Sequence, residues 1–466
     1  MEAEQNFPYN RHSIIVVLGL GITLVMVQWL VQNLSHRFAY DTDVLTTPIV
    51  AFVTIQIFAG LCYLLAVALL YRLEVGRTLF ALAILAGIVM RLVLFGSTPI
   101  LEVDFYRYLW DGAVSANGFN PYQYEPLQAS GTELHTLSKQ SGAVLERINY
   151  QHLRTIYPPL TQAFFAIAYW IDSWNLNAWR TVLLVADSIG FLMIIALLKK
   201  LRLPTALSLI YWWNPLLLQQ TYNAAHMDIL LVAPLVGFIW LMIDHRYWQA
   251  SCLLVIAAGI KLWPLVLLPF VLRPLIARPR ELMLAILAGL VLFVLLIFPV
   301  FLFGLGENSG LGAFANHWQR NSGIFPVIES SITSLVPDPA FTARLVVAVL
   351  VGAVAVFLGL KRNPLPERLI QYLLAVVALL FLLSPAQFPW YTLWFLPLLC
   401  FYRSFALLLL SALMPVYYLK FYSLDLGMPE LYDQILVWIQ YLPVLILLVL
   451  KLPVPRTKSS WQTSHS

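Results

Sequence analysis

Eleven stretches of this chain meet or approach the length and apolarity needed to cross a lipid bilayer: 13–34, 48–71, 78–97, 178–198, 204–222, 227–243, 281–303, 340–360, 368–386, 404–420 and 433–451. A spanning helix needs roughly 20 apolar residues. In hydrocarbon every backbone N–H and C=O must be paired within the spanning structure, which leaves helices or closed barrels. These runs are continuous rather than alternating, so they are expected to be helices. Three more stretches, 159–171, 246–277 and 390–402, are apolar but of awkward length.

Composition agrees: 61% of the 466 residues are hydrophobic and 11% charged, where soluble domains run near half and a quarter. The net charge of +5 is scattered in short clusters, with no basic stripe on a soluble fold to suggest nucleic-acid binding. Cys62, Cys252 and Cys400 lie inside apolar runs without metal-ligand or disulfide spacing, and read as packing residues. The first run is too long for a signal-peptide core and has no small-residue cleavage site, so it is expected to stay as a span.

Basic residues orient spanning helices. With Arg11 on the cytoplasmic side, Arg72 and Arg77 fall inside and residues 97–177 fall outside. Lys199, Lys200 and Arg202 then require one crossing after Asn177, so 157–171, "YPPLTQAFFAIAYWI", is expected to lie along the outer leaflet as an interfacial helix. Arg246 and the group Arg273, Arg278 and Arg280 place both ends of 246–277 inside, which makes that stretch a hairpin of two short helices turning near Lys261. The expected fold is an all-α polytopic membrane protein with about fourteen transmembrane helices and both termini cytoplasmic. Its two large outer loops are 98–177 and 304–338, and the polar tail "TKSSWQTSHS" is read as disordered. No internal repeat is visible, which counts against the repeat-built secondary transporters.

The polar residues gather at the expected outer rim. In "LEVDFYRYLWDG", residues 101–112, Asp104, Tyr108, Asp111 and Ser115 recur at the spacing of one helix face. Two readings stand: Asp104 as an N-cap with Arg107 and Asp111 as a solvated i,i+4 pair, or Glu102 and Asp104 as partly desolvated carboxylates suited to general-base work. "NAAHMDIL" sets His226 and Asp228 between two spans, where each needs water, a partner or a cavity. Lys261, flanked only by apolar residues, either snorkels to the headgroups or contacts an anion. "NHWQRNSG" offers His317 and Arg320 as phosphate or sugar contacts, and "SPAQFPWY" carries Trp390 and Tyr391 at a proline-interrupted helix end. Arg91 and Asp187, both intramembrane, are expected to pair with each other.

Taken in order, "EVDFYRYLWDG", "GFNPY", "YPPLTQ", "NPLLLQQTYNAAHMD", "GIKLWPLVLLP" and "SPAQFPWYTLWFLP" resemble the GT-C superfamily of polytopic glycosyltransferases. The likeness is closest to its polyprenyl-phosphate-mannose-dependent mannosyltransferases and covers roughly residues 97–400, leaving the first spans outside it. The resemblance implies transfer of a sugar, mannose by analogy, with inversion. The donor would be a polyprenyl-phosphate-linked sugar, and the acceptor a glycan or glycolipid hydroxyl. The reaction would take place on the periplasmic or extracellular side of a bacterial plasma membrane, with membrane lipid as the surrounding partner. It implies Asp104 as catalytic base with Glu102 beside it. Substrate contacts would come from Arg107, Tyr108, Asp111, Tyr157, His226, Asp228, Lys261, His317, Arg320, Trp390 and Tyr391, with no cofactor and no essential metal. The chain departs from its relatives in carrying Gln219 and Gln220 where glutamate is common before the histidine. The alternative function is a transporter or flippase of a lipid-linked sugar; a noncatalytic assembly factor on a glycosyltransferase shell is the third.

Overall fold

The structure is a computed structural model describing residues 11–40, 42, 47–73, 75–362 and 364–450. The tail 452–466, expected to be cytoplasmic and disordered, and the basic residues Lys451, Arg456 and Lys458 lie outside the described residues.

Among the described residues, nine helices are long and apolar enough to cross a membrane: Ile14–Phe38, Ile49–Leu70, Arg77–Leu94, Leu176–Lys200, Pro279–Leu296, Pro339–Gly359, Pro366–Leu383, Phe405–Asp425 and Pro429–Leu450. Each falls on one of the fourteen expected spans. Their ends carry ordinary capping chemistry. The side chains of Asn175, Asp338 and Ser404 accept from backbone N–H groups at helix starts, and proline occupies the first turn at Pro279, Pro339 and Pro366. Pro279–Leu296 buries only Ala285. A helix apolar all round and exposed all round suits lipid as its surroundings, not water.

The other five expected spans take shorter or broken forms. Residues 204–222 and 227–243 end as a bent pair, Pro215–Asn223 and Met227–Ile243, meeting at 112°. The stretch 246–277 is the expected hairpin of two short helices, Tyr247–Ala258 and Trp263–Ile276. Residues 390–402 fold as two 3₁₀ turns, Pro389–Trp394 and Leu396–Cys400. Burial explains why these looked like spans. Residues 206–232 and 386–401 are buried without interruption, and burial in protein selects apolar side chains as strongly as lipid does.

Arg91 and Asp187 do pair in the core. Arg91 Nε lies 2.7 Å from Asp187 Oδ2 with both side chains fully buried. The hydroxyls of Tyr211 and Tyr222 each donate to Asp187 at 2.6 Å, and the guanidinium donates to the carbonyls of Gly87 and Trp212. Its centre stacks 3.3 Å from the Trp212 ring. A buried charge pair depends on such added bonds; among the described residues, Nη2 of Arg91 has no hydrogen-bond partner and lies in the guanidinium stacked on Trp212.

The loop 98–177 folds back on the bundle through two helices, Asp104–Ala116 and Pro159–Ile171. They approach closely because position 112 is glycine: a Cβ there would sit 2.5 Å from the carbonyl oxygen of Phe165. The outward face of Pro159–Ile171 presents Ile167, Trp170 and Ile171.

Candidate active site

The helix Asp104–Ala116 positions the first wall. Its one polar face divides in two. Asp111 and Ser115 turn toward Pro159–Ile171: Gln162 Nε2 lies 3.2 Å from Asp111 Oδ2 and Thr155 donates to the same oxygen, while Ser115 contacts Gln162 at 3.3 Å. Asp104 and Tyr108 face a cavity of about 1020 Å³. Arg107 bonds Asp111 at 2.9 Å and the carbonyl of Leu153 at 2.9 Å. That i,i+4 pair is buried, at 12% and 2% side-chain exposure, rather than solvated. Asp111 is thus a strut behind the wall, and Arg107 shows its edge to the cavity.

Asp104 is the first residue of its helix, yet its side chain caps nothing. Among the described residues, its carboxylate has one close polar contact, 3.9 Å to Nδ1 of His226. Some 36% of its side-chain surface is open, but open onto the cavity. Protein surrounds it on all other sides, so it has few waters' worth of solvation. This desolvation pushes its pKa up to about 6; Lys261 and Arg107 pull it down, and Asp228 adds to the rise. Glu102, buried at 7% exposure, is held well above the usual carboxylate range by burial first and by the charge of Asp104 second, against a hydrogen bond from Tyr418.

His226 sits in the break of the bent pair, fully buried. Its Nε2 is 3.7 Å from Glu102 and its Nδ1 3.3 Å from the Tyr108 hydroxyl. Its ring stacks on Trp390 at 3.6 Å, and Trp390 stacks on Phe388 at 4.4 Å. It therefore stands behind the cavity wall, near both carboxylates and stacked on an aromatic plate. The preceding Ala225 has φ +61°, a left-handed turn that re-aims the chain so the imidazole points inward.

Lys261 lies at the turn of the hairpin. Its ammonium is 2.7 Å from Asp228, which is 1% exposed and also accepts from the Trp394 indole at 2.6 Å. It hovers 4.0 Å from the Tyr391 ring centre. Trp394 stacks on Tyr391 at 4.2 Å and on Trp263 at 5.0 Å, continuing the aromatic wall.

Glu102, Asp104, Arg107, Tyr108, Tyr157, Asp228, Lys261, Arg320, Trp390 and Tyr391 all line this one cavity. Asp111 and His226 are directly behind it. His317 does not join them; it is exposed at the end of the helix Gly310–His317. Sequence reading missed Tyr417 and Lys420, which also line the cavity. They sit inside an apolar span, where a lone tyrosine and lysine resemble membrane-interface anchors. Among the described residues, no three His, Cys, Asp or Glu side chains are grouped to hold a metal ion.

The N-terminal spans contribute directly. Phe38 and Tyr40 line the cavity, Tyr40 packs edge-on to Tyr106 at 6.0 Å, and Ser35 Oγ accepts from Thr98 N at 3.0 Å. The family model described as "Alpha-(1->6)-mannopyranosyltransferase, N-terminal domain" matches residues 13–277, more than half of the chain. The match begins inside the first span, which corrects the expectation that the likeness starts near residue 97. No curated protein and no solved structure gives a significant match.

Proposed function

Since the chain belongs to the alpha-(1->6)-mannopyranosyltransferase family, a GT-C-type family of mannosyltransferases, we propose that its donor is a polyprenyl-phosphate-linked mannose and its acceptor a glycan or glycolipid hydroxyl. Transfer takes place in the cavity at the outer face of a bacterial plasma membrane, with inversion at the anomeric carbon. The observation that carries this reading is the carboxylate of Asp104, which caps no helix, is poised near neutrality and lines one large cavity together with aromatic side chains, Lys261, Arg320 and Lys420.

Asp104 takes the proton of the acceptor hydroxyl as that oxygen attacks the anomeric carbon. The bond from that carbon to the phosphate oxygen breaks, and its electron pair leaves with the polyprenyl phosphate. A placed base contributes about 10²–10⁴-fold, and cations at the developing phosphate charge lower the barrier further. Trp390, Tyr391 and Trp394 line the cavity and give the sugar apolar ring edges to pack against, their faces being engaged by His226, Phe388, Lys261 and one another. The outward apolar face of Pro159–Ile171 supports its placement along the outer leaflet. Inversion to an alpha product requires a beta-linked donor, so an alpha-linked polyprenyl phosphate mannose should be inert.

Membranes carrying the full chain, given labelled polyprenyl-phosphate mannose and an oligomannoside acceptor, should form an alpha-linked product. Asp104→Asn should lose at least a hundredfold at equal expression. Full transfer by that variant would remove Asp104 as the base. A wild-type chain that moves the intact lipid-linked sugar across vesicles without transfer would favour the carrier reading.

A further inference from the structure

The cations on the cavity wall are not equivalent: Arg107 is committed to Asp111 and the Leu153 carbonyl, and Arg154 to the carbonyls of Phe303 and Leu305. Lys261 is already committed: Asp228 lies 2.7 Å away, and Asp104 is within electrostatic reach. One ammonium beside two carboxylates, with Arg107 already matched by Asp111, leaves that wall net negative before any substrate arrives. A phosphate placed there would meet repulsion from both acids.

Arg320 and Lys420 come from other elements, the second outer loop and the span Phe405–Asp425. Both line the cavity and lie within electrostatic reach of each other. Among the described residues, the acid paired with this end is Asp433, 3.5 Å from Lys420 and itself 57% exposed. The side chain of Arg320 donates only to the carbonyl of Gln319 among the described residues. Two cations against one solvated carboxylate leave this end net positive. Tyr417, which also lines the cavity, is within electrostatic reach of Glu102, Asp104 and Arg320.

The positive end is also built to hold its shape. Arg320 N donates to Pro385 O and Gln387 N donates to Arg320 O, each at 3.0 Å, joining the second loop to the proline-interrupted strap beside the aromatic wall. Asn321, at φ +54°, fixes the next residue: its side chain accepts from Tyr432 and Gln440 and donates to the carbonyl of Gln387. The Tyr441 hydroxyl donates to its carbonyl at 2.7 Å. The backbone under Arg320 is thus clamped, while its guanidinium stays free to meet a ligand.

We propose that Arg320 and Lys420 form the subsite receiving the phosphate of the lipid-linked donor, and that Lys261 is a positioning residue which holds Asp228 and the aromatic wall. This rests on the donor reading above. It places the leaving phosphate at the positive end and the base at the negative end of one polarised cavity.

The test measures binding of undecorated polyprenyl phosphate and of uncharged polyprenol to the purified full chain. Wild type should prefer the phosphate. Lys420→Gln and Arg320→Gln should each cut that preference about tenfold, the size of one lost hydrogen bond to a charged group. Polyprenol binding should not move, which reports an intact groove, and Lys420→Arg should restore the preference. The charge-balanced double variant Asp228→Asn/Lys261→Gln should keep it. Retention of full preference by Lys420→Gln and Arg320→Gln, or its loss only in the double variant, would overturn the assignment. Because binding needs no turnover, a wild type that prefers the phosphate yet transfers no mannose from it would sink the donor reading and leave the subsite standing.

Discussion

Lys261 and Asp228 close the hairpin turn onto the bent pair, Nζ to Oδ1 at 2.7 Å, although 33 residues separate them in sequence. Asp228 is almost fully buried and spends its second contact on the Trp394 indole. The pair therefore ties three elements together: the break before Met227–Ile243, the hairpin Tyr247–Ala258 with Trp263–Ile276, and the 3₁₀ turn Pro389–Trp394.

Removing one partner should expose the cost of that arrangement. Asp228→Leu takes from the part-buried ammonium of Lys261 its nearest carboxylate, and the loss should fall below the ~3–5 kcal/mol of a fully buried pair because Lys261 also faces the cavity. The expected result is a clear fall in thermal stability in detergent. The double change Asp228→Asn/Lys261→Gln should recover much of it, since no buried charge is then left unpaired. A thermodynamic cycle of the single and double variants that showed no coupling would mean the pair is idle.

The acid limb of activity should follow Asp104. A base works only when deprotonated, so kcat/KM should fall tenfold per pH unit below a midpoint near pH 6, the point to which burial raises this group. The stability effect has the opposite sense. A folded pKa near 6 above an unfolded value of about 3.9 means that folding favours the protonated form, so the group's contribution declines as pH rises from about 4 to about 6 and is level above that. Asp104→Asn should accordingly be inactive yet somewhat more heat-stable than wild type at pH 7. Paired pH–rate and melting curves check both signs.

Arg91 and Asp187 form the contrasting case, a pair with no route to the cavity. Asp187→Asn should lower stability by about 3–5 kcal/mol, because it leaves a fully buried guanidinium with one less charge to face. Specific activity per folded molecule should stay near wild type. A drop in kcat at full occupancy of the folded state would show that this core pair reaches the chemistry.

Much of the site was legible because lipid punishes polar residues. Asp104, Asp228, Lys261 and Arg320 stand out against apolar surroundings, and helical spacing put Asp104 and Tyr108 on one face. Hydropathy could not separate lipid-facing helices from protein-buried segments, so 204–222 and 227–243 read as plain spans and 390–402 as a short one, although the protein buries most of them. Lys420 was hidden for the converse reason: one lysine in an apolar span is also what an interface anchor looks like. The roles of Asp111 and His226 as supports rather than lining depended on the approach of distant elements, which periodicity does not encode.

Gly112 makes the last expectation the most local. The helix Asp104–Ala116 presses on Pro159–Ile171 so closely that a methyl group at 112 would stand 2.5 Å from the Phe165 carbonyl oxygen and 3.2 Å from its Cβ. Backbone cannot swing aside as a side-chain tip can, so Gly112→Ala must part the two helices, at about 1–3 kcal/mol for such overpacking. Parting them disturbs the Tyr108–Phe165 stack at 4.8 Å, and with it the Tyr108 hydroxyl that meets His226 beside Asp104. The base shifts relative to the acceptor, so kcat should fall more than donor affinity does. Gly289→Ala supplies the control: nothing lies within 4 Å of a Cβ there, in the outward-facing helix Pro279–Leu296. That change should be neutral or slightly stabilising, by up to about 1 kcal/mol. If Gly112→Ala behaved the same way in steady-state kinetics and melting, the two loop helices would not be what positions Asp104.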